Sequence, residues 1–142
     1  MRTFTTHIYS ATRIFYEGEC ESLTVPAVDG EYGVLAGHSN AITAIVPGKL
    51  TFTAEGQEKQ VAAISSGIMK IENNDVLILA DSVLRPEEID EEWAKKTAED
   101  AKEAMMQKLS RQEYFSVQAQ LARAVSKLKI RRSYLKGGHT VK

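Results

Sequence analysis

The chain has 142 residues, 43% hydrophobic and 26% charged, with a net charge of −1, enough for a modest core in one compact domain or in one small domain plus an appendage. No apolar run approaches the roughly 20 residues that span a bilayer, and the opening MRTFTTHIYS alternates polar and apolar residues instead of following a charged patch with a greasy stretch, so neither a cleaved signal nor a membrane span is expected. The single cysteine, Cys20, excludes an internal disulfide and a cysteine-built metal cage, and is expected to be a packed thiol in a reducing compartment.

The first 85 residues read as short strands separated by turn chemistry. Phe4, Thr6 and Ile8 alternate with Thr5, His7 and Tyr9; Ile42, Ala44 and Val46 share one face, as do Leu50, Phe52 and Ala54. That period of two is the signature of strands. Turn signals fall between the runs at Asp29-Gly30, Pro47-Gly48, Glu55-Gly56, Ser66-Gly67 and Asn73-Asn74-Asp75, and VLILA (76–80) is short enough for a buried strand. Many short strands at near-regular spacing predict an all-β sandwich or barrel.

At Pro86 the period changes. Proline suits the first turn of a helix, where its missing N–H has no acceptor, and Glu87, Glu88, Asp90, Glu91 and Glu92 complement the positive end of the dipole. A helix is expected from Glu87 to about Leu109, with Ile89, Trp93, Thr97, Ala101, Ala104 and Met105 near one face. After a polar break around Ser110-Arg111-Gln112, a second helix carries Tyr114, Val117, Leu121, Ala124, Val125 and Leu128 at three- and four-residue steps, with Gly137-Gly138 as its stop. Two such helices predict an antiparallel hairpin over residues 86–142, thinly packed because its apolar faces are rich in alanine.

Catalytic and metal chemistry find little support in this pattern. DGEYGVLAGH (29–38) lacks the lysine and hydroxyl that a phosphate loop places after its glycines, and strand-like residues follow where a dinucleotide fold needs a helix. Asp29, His38 and Ser39 are the residue types of a hydrolase triad, yet adjacent His and Ser in extended chain point to opposite faces. His7, His38 and His139 are far apart and show none of the paired spacings of a ligand set. The acids at 87–92 are read as helix capping and solubility. No catalytic residue and no metal is expected.

Charge is distributed unevenly. Residues 1–85 carry 6 Lys/Arg against 10 Asp/Glu, residues 86–108 carry 4 against 8, and residues 109–142 carry 8 against 1. The second helix holds Arg123, Lys127, Lys129, Arg131, Arg132 and Lys136, more than its own C-terminus requires. No recognition-helix context accompanies them, so an acidic protein surface, or the acidic first helix, is preferred over nucleic acid as their target.

In order along the chain, ESLTVPAVDGEYGVLAGH (21–38), AITAIVPGKL (41–50), NNDVLILADS (73–82) and RPEEID (85–90) resemble the epsilon subunits of bacterial F-type ATP synthases. The resemblance implies an N-terminal β-sandwich (1–85) bound to the gamma subunit and the c-ring, followed by a regulatory α-helical hairpin (86–142). It implies a rotor subunit of the central stalk that performs no chemistry, couples ion translocation to ATP synthesis and restrains ATP hydrolysis, held peripherally at the cytoplasmic face of the bacterial membrane only through the complex. Glu31, Tyr32, Gly33 and His38 then become the contacts to the c-ring or gamma. Arg123, Lys127, Arg131 and Arg132 become the inhibitory contact in the catalytic head of alpha and beta subunits, aimed at an acidic stretch of beta.

Some members of that family bind ATP through Ile/Leu-Asp-x-x-Arg-Ala in the first helix. This chain has Ile89-Asp90-Glu91-Glu92-Trp93-Ala94, so tryptophan replaces the phosphate-pairing arginine; Arg123 and Lys127 remain as possible phosphate contacts. No ATP cofactor is expected. The competing reading is a generic β-sandwich protein-binding module with a helical arm.

Overall fold

The computed structural model describes residues 2–107 and 109–133; Lys136, the Gly137-Gly138 stop and His139 lie outside them. The chain divides into two compact units, Met1–Leu84 and Arg85–Lys142.

The first unit has nine strands: β1 (Phe4–Ser10), β2 (Ile14–Ala27), β3 (Gly30–Leu35), β4 (Ala41–Ile45), β5 (Gly48–Ala54), β6 (Lys59–Ile64), β7 (Gly67–Glu72), β8 (Asp75–Ala80) and β9 (Val83–Leu84). Their order is β4-β7-β8-β1-β2-β5-β6-β9, with β3 also paired to β2. The 14-residue β2 belongs to both layers of the sandwich. Its first half pairs with β1, its second half pairs with β3 on the same edge, and β5 runs along the opposite edge. All the pairings are antiparallel except β1 with β8, which are parallel.

Alternation decides what each strand buries. Phe4, Thr6 and Ile8 of β1 are buried, as are Leu50, Phe52 and Ala54 of β5, and Phe4, Ile8, Leu50 and Phe52 join Leu23, Val25, Met69, Ile71, Val76 and Ile78 in one core. VLILA is buried on one side only, through Val76 and Ile78, while Leu79 is 46% exposed. In β4 the buried residue is Ile45, and Ile42 and Ala44 face solvent. The apolar face that alternation singles out there is therefore the outer one.

Turn chemistry follows the same local logic. Asn73 and Asn74 both take positive φ, at 52° and 64°, joining β7 to β8 by a tight hairpin whose flanking residues Glu72 and Asp75 are paired. At Gly67 a Cβ would run into the carbonyl oxygen of Leu79. Glycine is required there by close approach of β7 to β8.

The second unit opens with a 3-10 turn over Pro86–Glu88, not with the α-helix expected from Glu87. Ile89 is extended and buried, and Asp90 becomes the N-cap of α1 (Glu91–Met105), its carboxylate accepting from Trp93 N at 3.0 Å. A side-chain cap satisfies an end amide that the run of good helix formers leaves open. Ser110 caps α2 (Arg111–Ser133) reciprocally: its Oγ accepts from Glu113 N at 3.1 Å and Glu113 Oε1 accepts from Ser110 N at 3.0 Å.

Arg131, near the end of α2, meets Ile89 and Glu91 at the start of α1, and Lys127, one turn earlier, meets Trp93, so the helices are antiparallel. The buried positions are Ala94, Ala98 and Ala101 on α1 and Ala124 and Ile130 on α2. Trp93 is 52% exposed, so the seam lies one residue around the helix from the expected Trp93–Thr97 line. An alanine seam removes little apolar area from water, about 0.8 kcal/mol for each buried CH₂ equivalent.

Candidate functional site

Three exposed features carry chemistry that the cores do not use. The first is the β2–β3 hairpin and the segment after it. Glu31, Gly33 and Leu35 face outward, whereas Val34 is buried and Tyr32 packs against the core. Tyr32 meets His38 with ring centroids 5.5 Å apart, and His38 Nδ1 donates to the Ser39 carbonyl at 2.7 Å. The structure thus separates the four residues of this stretch into an outward pair, Glu31 and Gly33, and an inward-leaning pair, Tyr32 and His38. The Asn73-Asn74 turn holds the far end: Gly37 N donates to Asn74 Oδ1 at 2.8 Å, and Asn73 N donates to Asn40 Oδ1 at 2.9 Å. Sequence reasoning treats these asparagines as turn formers, and their anchoring role appears only in three dimensions.

The second feature is the solvent side of β4, β7, β8, β1 and β2. Strand register lines up Ala44, Ile68, Leu79, Tyr9 and Ile14 in one cross-strand row. Ile14 is 62% exposed and Ile68 and Leu79 are 46% exposed. The next row contains Ile42, Lys70, Leu77, His7 and Glu17, and the third contains Glu72, Asp75, Thr5 and Glu19. The face grades from apolar to acidic across three rows. A contiguous apolar row on an otherwise charged surface marks a place for a partner. Nothing in the local alternation of one strand reveals it, because the row runs across five strands.

The third feature is the basic side of the hairpin. Arg131 Nε donates to the Ile89 carbonyl at 2.8 Å, Arg131 reaches Glu91 at 3.4 Å and Arg132 reaches the same carboxylate at 3.7 Å. Lys127 sits over the Trp93 ring, 5.1 Å from its centroid. Burial above all, and then the charge of Arg123, hold the Lys127 ammonium below the usual lysine value. Between the helices lies a groove of about 520 Å³ lined by Trp93, Thr97, Asp100, Arg123 and Lys127 among others. Three of the four cations singled out in α2 are thus engaged with the start of α1. Of the possible nucleotide contacts, Ile89 and Ala94 are buried, Asp90 is spent on its cap, and Arg123 and Lys127 line the groove.

Two family models match consecutive parts of the chain: the ATP synthase, Delta/Epsilon chain, beta-sandwich domain over residues 3–86, and the corresponding long alpha-helix domain over residues 87–131. The chain belongs to the ATP synthase delta/epsilon family. Its similarity to bacterial members of that family runs almost end to end. An ATP synthase epsilon chain of Caldicellulosiruptor saccharolyticus is 38% identical over 130 residues, covering 92% of this chain and 94% of the relative. One from Caldanaerobacter subterraneus subsp. tengcongensis is 38% identical over 134 residues, covering 94% and 96%. Among solved structures, a chain of the Euglena gracilis mitochondrial ATP synthase (OSCP/F1/c-ring) superposes with a TM-score of 0.74 at 25% identity, covering 95% of this chain and 82% of that one. A chain of the Tetrahymena thermophila enzyme (central stalk/c-ring) shares the fold at a TM-score of 0.65 and 10% identity. The epsilon subunit of ATP synthase is the member of the family that this chain matches in sequence and in architecture.

Proposed function

We propose that the sandwich docks this epsilon-type subunit onto the central stalk of an F-type ATP synthase, and that the hairpin restrains ATP hydrolysis. The observation that carries the docking half is the apolar row Ile68, Leu79, Tyr9 and Ile14 on the solvent side of the sheet. Burying such a row against a partner is favourable at about 25 cal/mol per Å² of apolar surface. The gamma subunit is the partner of this face and of the neighbouring His38 region. Glu31 and Gly33, at the outward side of the β2–β3 hairpin, meet the c-ring. A Cβ on Gly33 meets no atom of its own chain, so the space it leaves serves a partner's approach and not the chain's own packing.

The hairpin reading rests on the cations. Arg123, Lys127, Arg131 and Arg132 suit an acidic stretch on a catalytic beta subunit, and breaking their contacts with Glu91 and Trp93 releases them for it. Exposed ion pairs of this kind are worth about 0–1 kcal/mol each, so the exchange is inexpensive in both directions. The subunit performs no catalysis, and association with the cytoplasmic face of the membrane is through the complex. No helix among the described residues is long and apolar enough to cross a membrane. The groove does not suit ATP: Lys127 is seated on the Trp93 ring that replaces an arginine, and the carboxylate of Asp100 is among the groove's lining.

The test is ATP hydrolysis by an ATP synthase stripped of its epsilon subunit, measured before and after adding either the full chain or a chain ending at Leu84. Both are expected to bind and only the full chain to suppress hydrolysis. Binding without suppression by either removes the restraint and leaves docking. Failure of both to bind overturns the stalk reading.

A further inference from the structure

The acidic side of the exposed sheet face contains a cluster that docking does not account for. His7 lies at the centre of the face, on β1, and both of its ring nitrogens meet carboxylates: Nδ1 is 3.0 Å from Glu17 Oε2 on β2, and Nε2 is 3.1 Å from Asp75 Oδ1 on β8. A neutral imidazole has one donor and one acceptor, and an ionised carboxylate only accepts. Both contacts are hydrogen bonds only when the ring carries two protons. The Tyr9 hydroxyl donates to the same Glu17 oxygen, and the Tyr9 ring stands edge-on to the His7 ring with centroids 5.9 Å apart.

We propose that His7, Glu17 and Asp75 form a proton-operated tie that joins β8, β1 and β2 across the exposed face and sets the charge beside its apolar row. With His7 doubly protonated, one cation answers two carboxylates and three adjacent strands are linked through side chains. Loss of one ring proton leaves a single hydrogen bond from the ring to a carboxylate, sets the other ring nitrogen and its carboxylate against each other as two acceptors, with the Tyr9 hydroxyl 3.4 Å from Nδ1 as the one donor they would share on the Glu17 side, and makes the face more negative by one charge. The parallel β1–β8 pair depends on this tie more than the β1–β2 pair does, because Tyr9 keeps a hold on Glu17 in either state.

The surrounding charges do not relieve the cluster. On β2, Glu19 is occupied by the hydroxyls of Thr3 and Thr5 at 2.9 and 2.7 Å. On β7, Lys70 pairs with Glu72 at 3.3 Å, and Leu77 lies between Lys70 and His7 in their row. β4 contributes Ile42. His7 is therefore the cation placed to answer Glu17 and Asp75. Hydrogen bonding to Glu17 above all, with Asp75 adding, outweighs burial and raises the His7 pKa above its ordinary value. Tyr9 first and His7 second lower that of Glu17. The sign follows: the His7 contribution is fully present below the unfolded histidine value near 6.5 and is lost as pH rises through the raised folded value. The Glu17 contribution is lost only at acid pH, as pH falls through its lowered value.

The experiment is a histidine imidazole NMR titration of the full-length chain from about pH 5 to 9, repeated with His7→Gln to assign the signal and with Glu17→Gln, alongside melting temperatures at pH 6 and 9. The tie predicts that His7 titrates above the ordinary value and that Glu17→Gln brings it down. It also predicts that His7→Gln melts below wild type by a margin wider at pH 6 than at pH 9. If His7→Gln does not fold, the Glu17→Gln titration alone decides. A His7 midpoint at or below the ordinary value, one unmoved by Glu17→Gln, or a melting margin that does not change with pH overturns the proposal.

Discussion

Thr6 shows how a single position can follow the pattern and still carry a cost. It lies between Phe4 and Ile8 on the inward face of β1, is completely buried, and its hydroxyl has no oxygen or nitrogen partner among the described residues, only the weakly hydrogen-bonding thiol of buried Cys20 beside it. A desolvated hydroxyl without a partner costs about 1–3 kcal/mol, and valine has nearly the same shape without it. Thr6→Val is expected to stabilise the sandwich by about 1 kcal/mol, seen as a higher melting temperature; a lower one would mean that the contact of the hydroxyl with the Cys20 thiol outweighs its desolvation. At this scale the sequence reading was sound where a residue's role is local. Phe4, Ile8, Leu50 and Phe52 are in the core as their alternation predicts. Ile42 and Ala44 do share a face, but it is the exposed one, because alternation shows that two faces differ and not which of them is covered.

The hairpin is the element whose behaviour depends most on a few contacts. Its seam is alanine, and the open end is closed by Arg131 on the Ile89 carbonyl, by Arg131 and Arg132 on Glu91, and by Lys127 on Trp93. Each exposed ion pair contributes about 0–1 kcal/mol and the cation–π contact about 0.5–1 kcal/mol, the ion pairs weakening with salt. Glu91→Ala and Trp93→Ala are each expected to reduce hydrogen-exchange protection of the Ala94 and Ala98 amides by about 2- to 5-fold while leaving the sandwich amides unchanged. High salt should mimic Glu91→Ala and add little to it, whereas Trp93→Ala, which keeps the Glu91 ion pairs, should remain salt-sensitive. Millimolar ATP should leave both protection and melting temperature unchanged; a saturable rise at micromolar ATP would show that the groove accepts nucleotide despite Trp93. Periodicity foresaw two helices but began the first one too early. Ile89 is drawn into burial and Asp90 takes the cap, a competition between burial and helix propensity that composition does not reveal.

For the whole molecule the consequence is a division of labour. The core of the first unit is built, among the described residues, from side chains between Phe4 and Val83. A chain ending at Leu84 is therefore expected to fold by itself, with a cooperative melt and the strand-rich circular dichroism of the sandwich; a truncated chain that melts without cooperativity would show that the sandwich needs residues beyond Leu84. The large buried side chains of the sandwich and the alanine seam of the hairpin assign firm structure to one unit and easily exchanged contacts to the other. That contrast suits a subunit that holds its place with one part and acts with the other.

The amino-acid sequence by itself determined the two periods, the change at Pro86, the basic end of the second helix and the family, because each of these is written in neighbouring residues or in one continuous motif. The tertiary structure alone decided which cations are engaged, where Asn74 anchors the Gly37–Asn40 stretch, and that Tyr9, Ile14, Ile68 and Leu79 form one row beside His7, Glu17 and Asp75. The physical reason is register. Residues as distant as His7 and Asp75 become neighbours only through the parallel β1–β8 pairing, and a side chain's partner across a sheet is set by strand order and not by any local pattern.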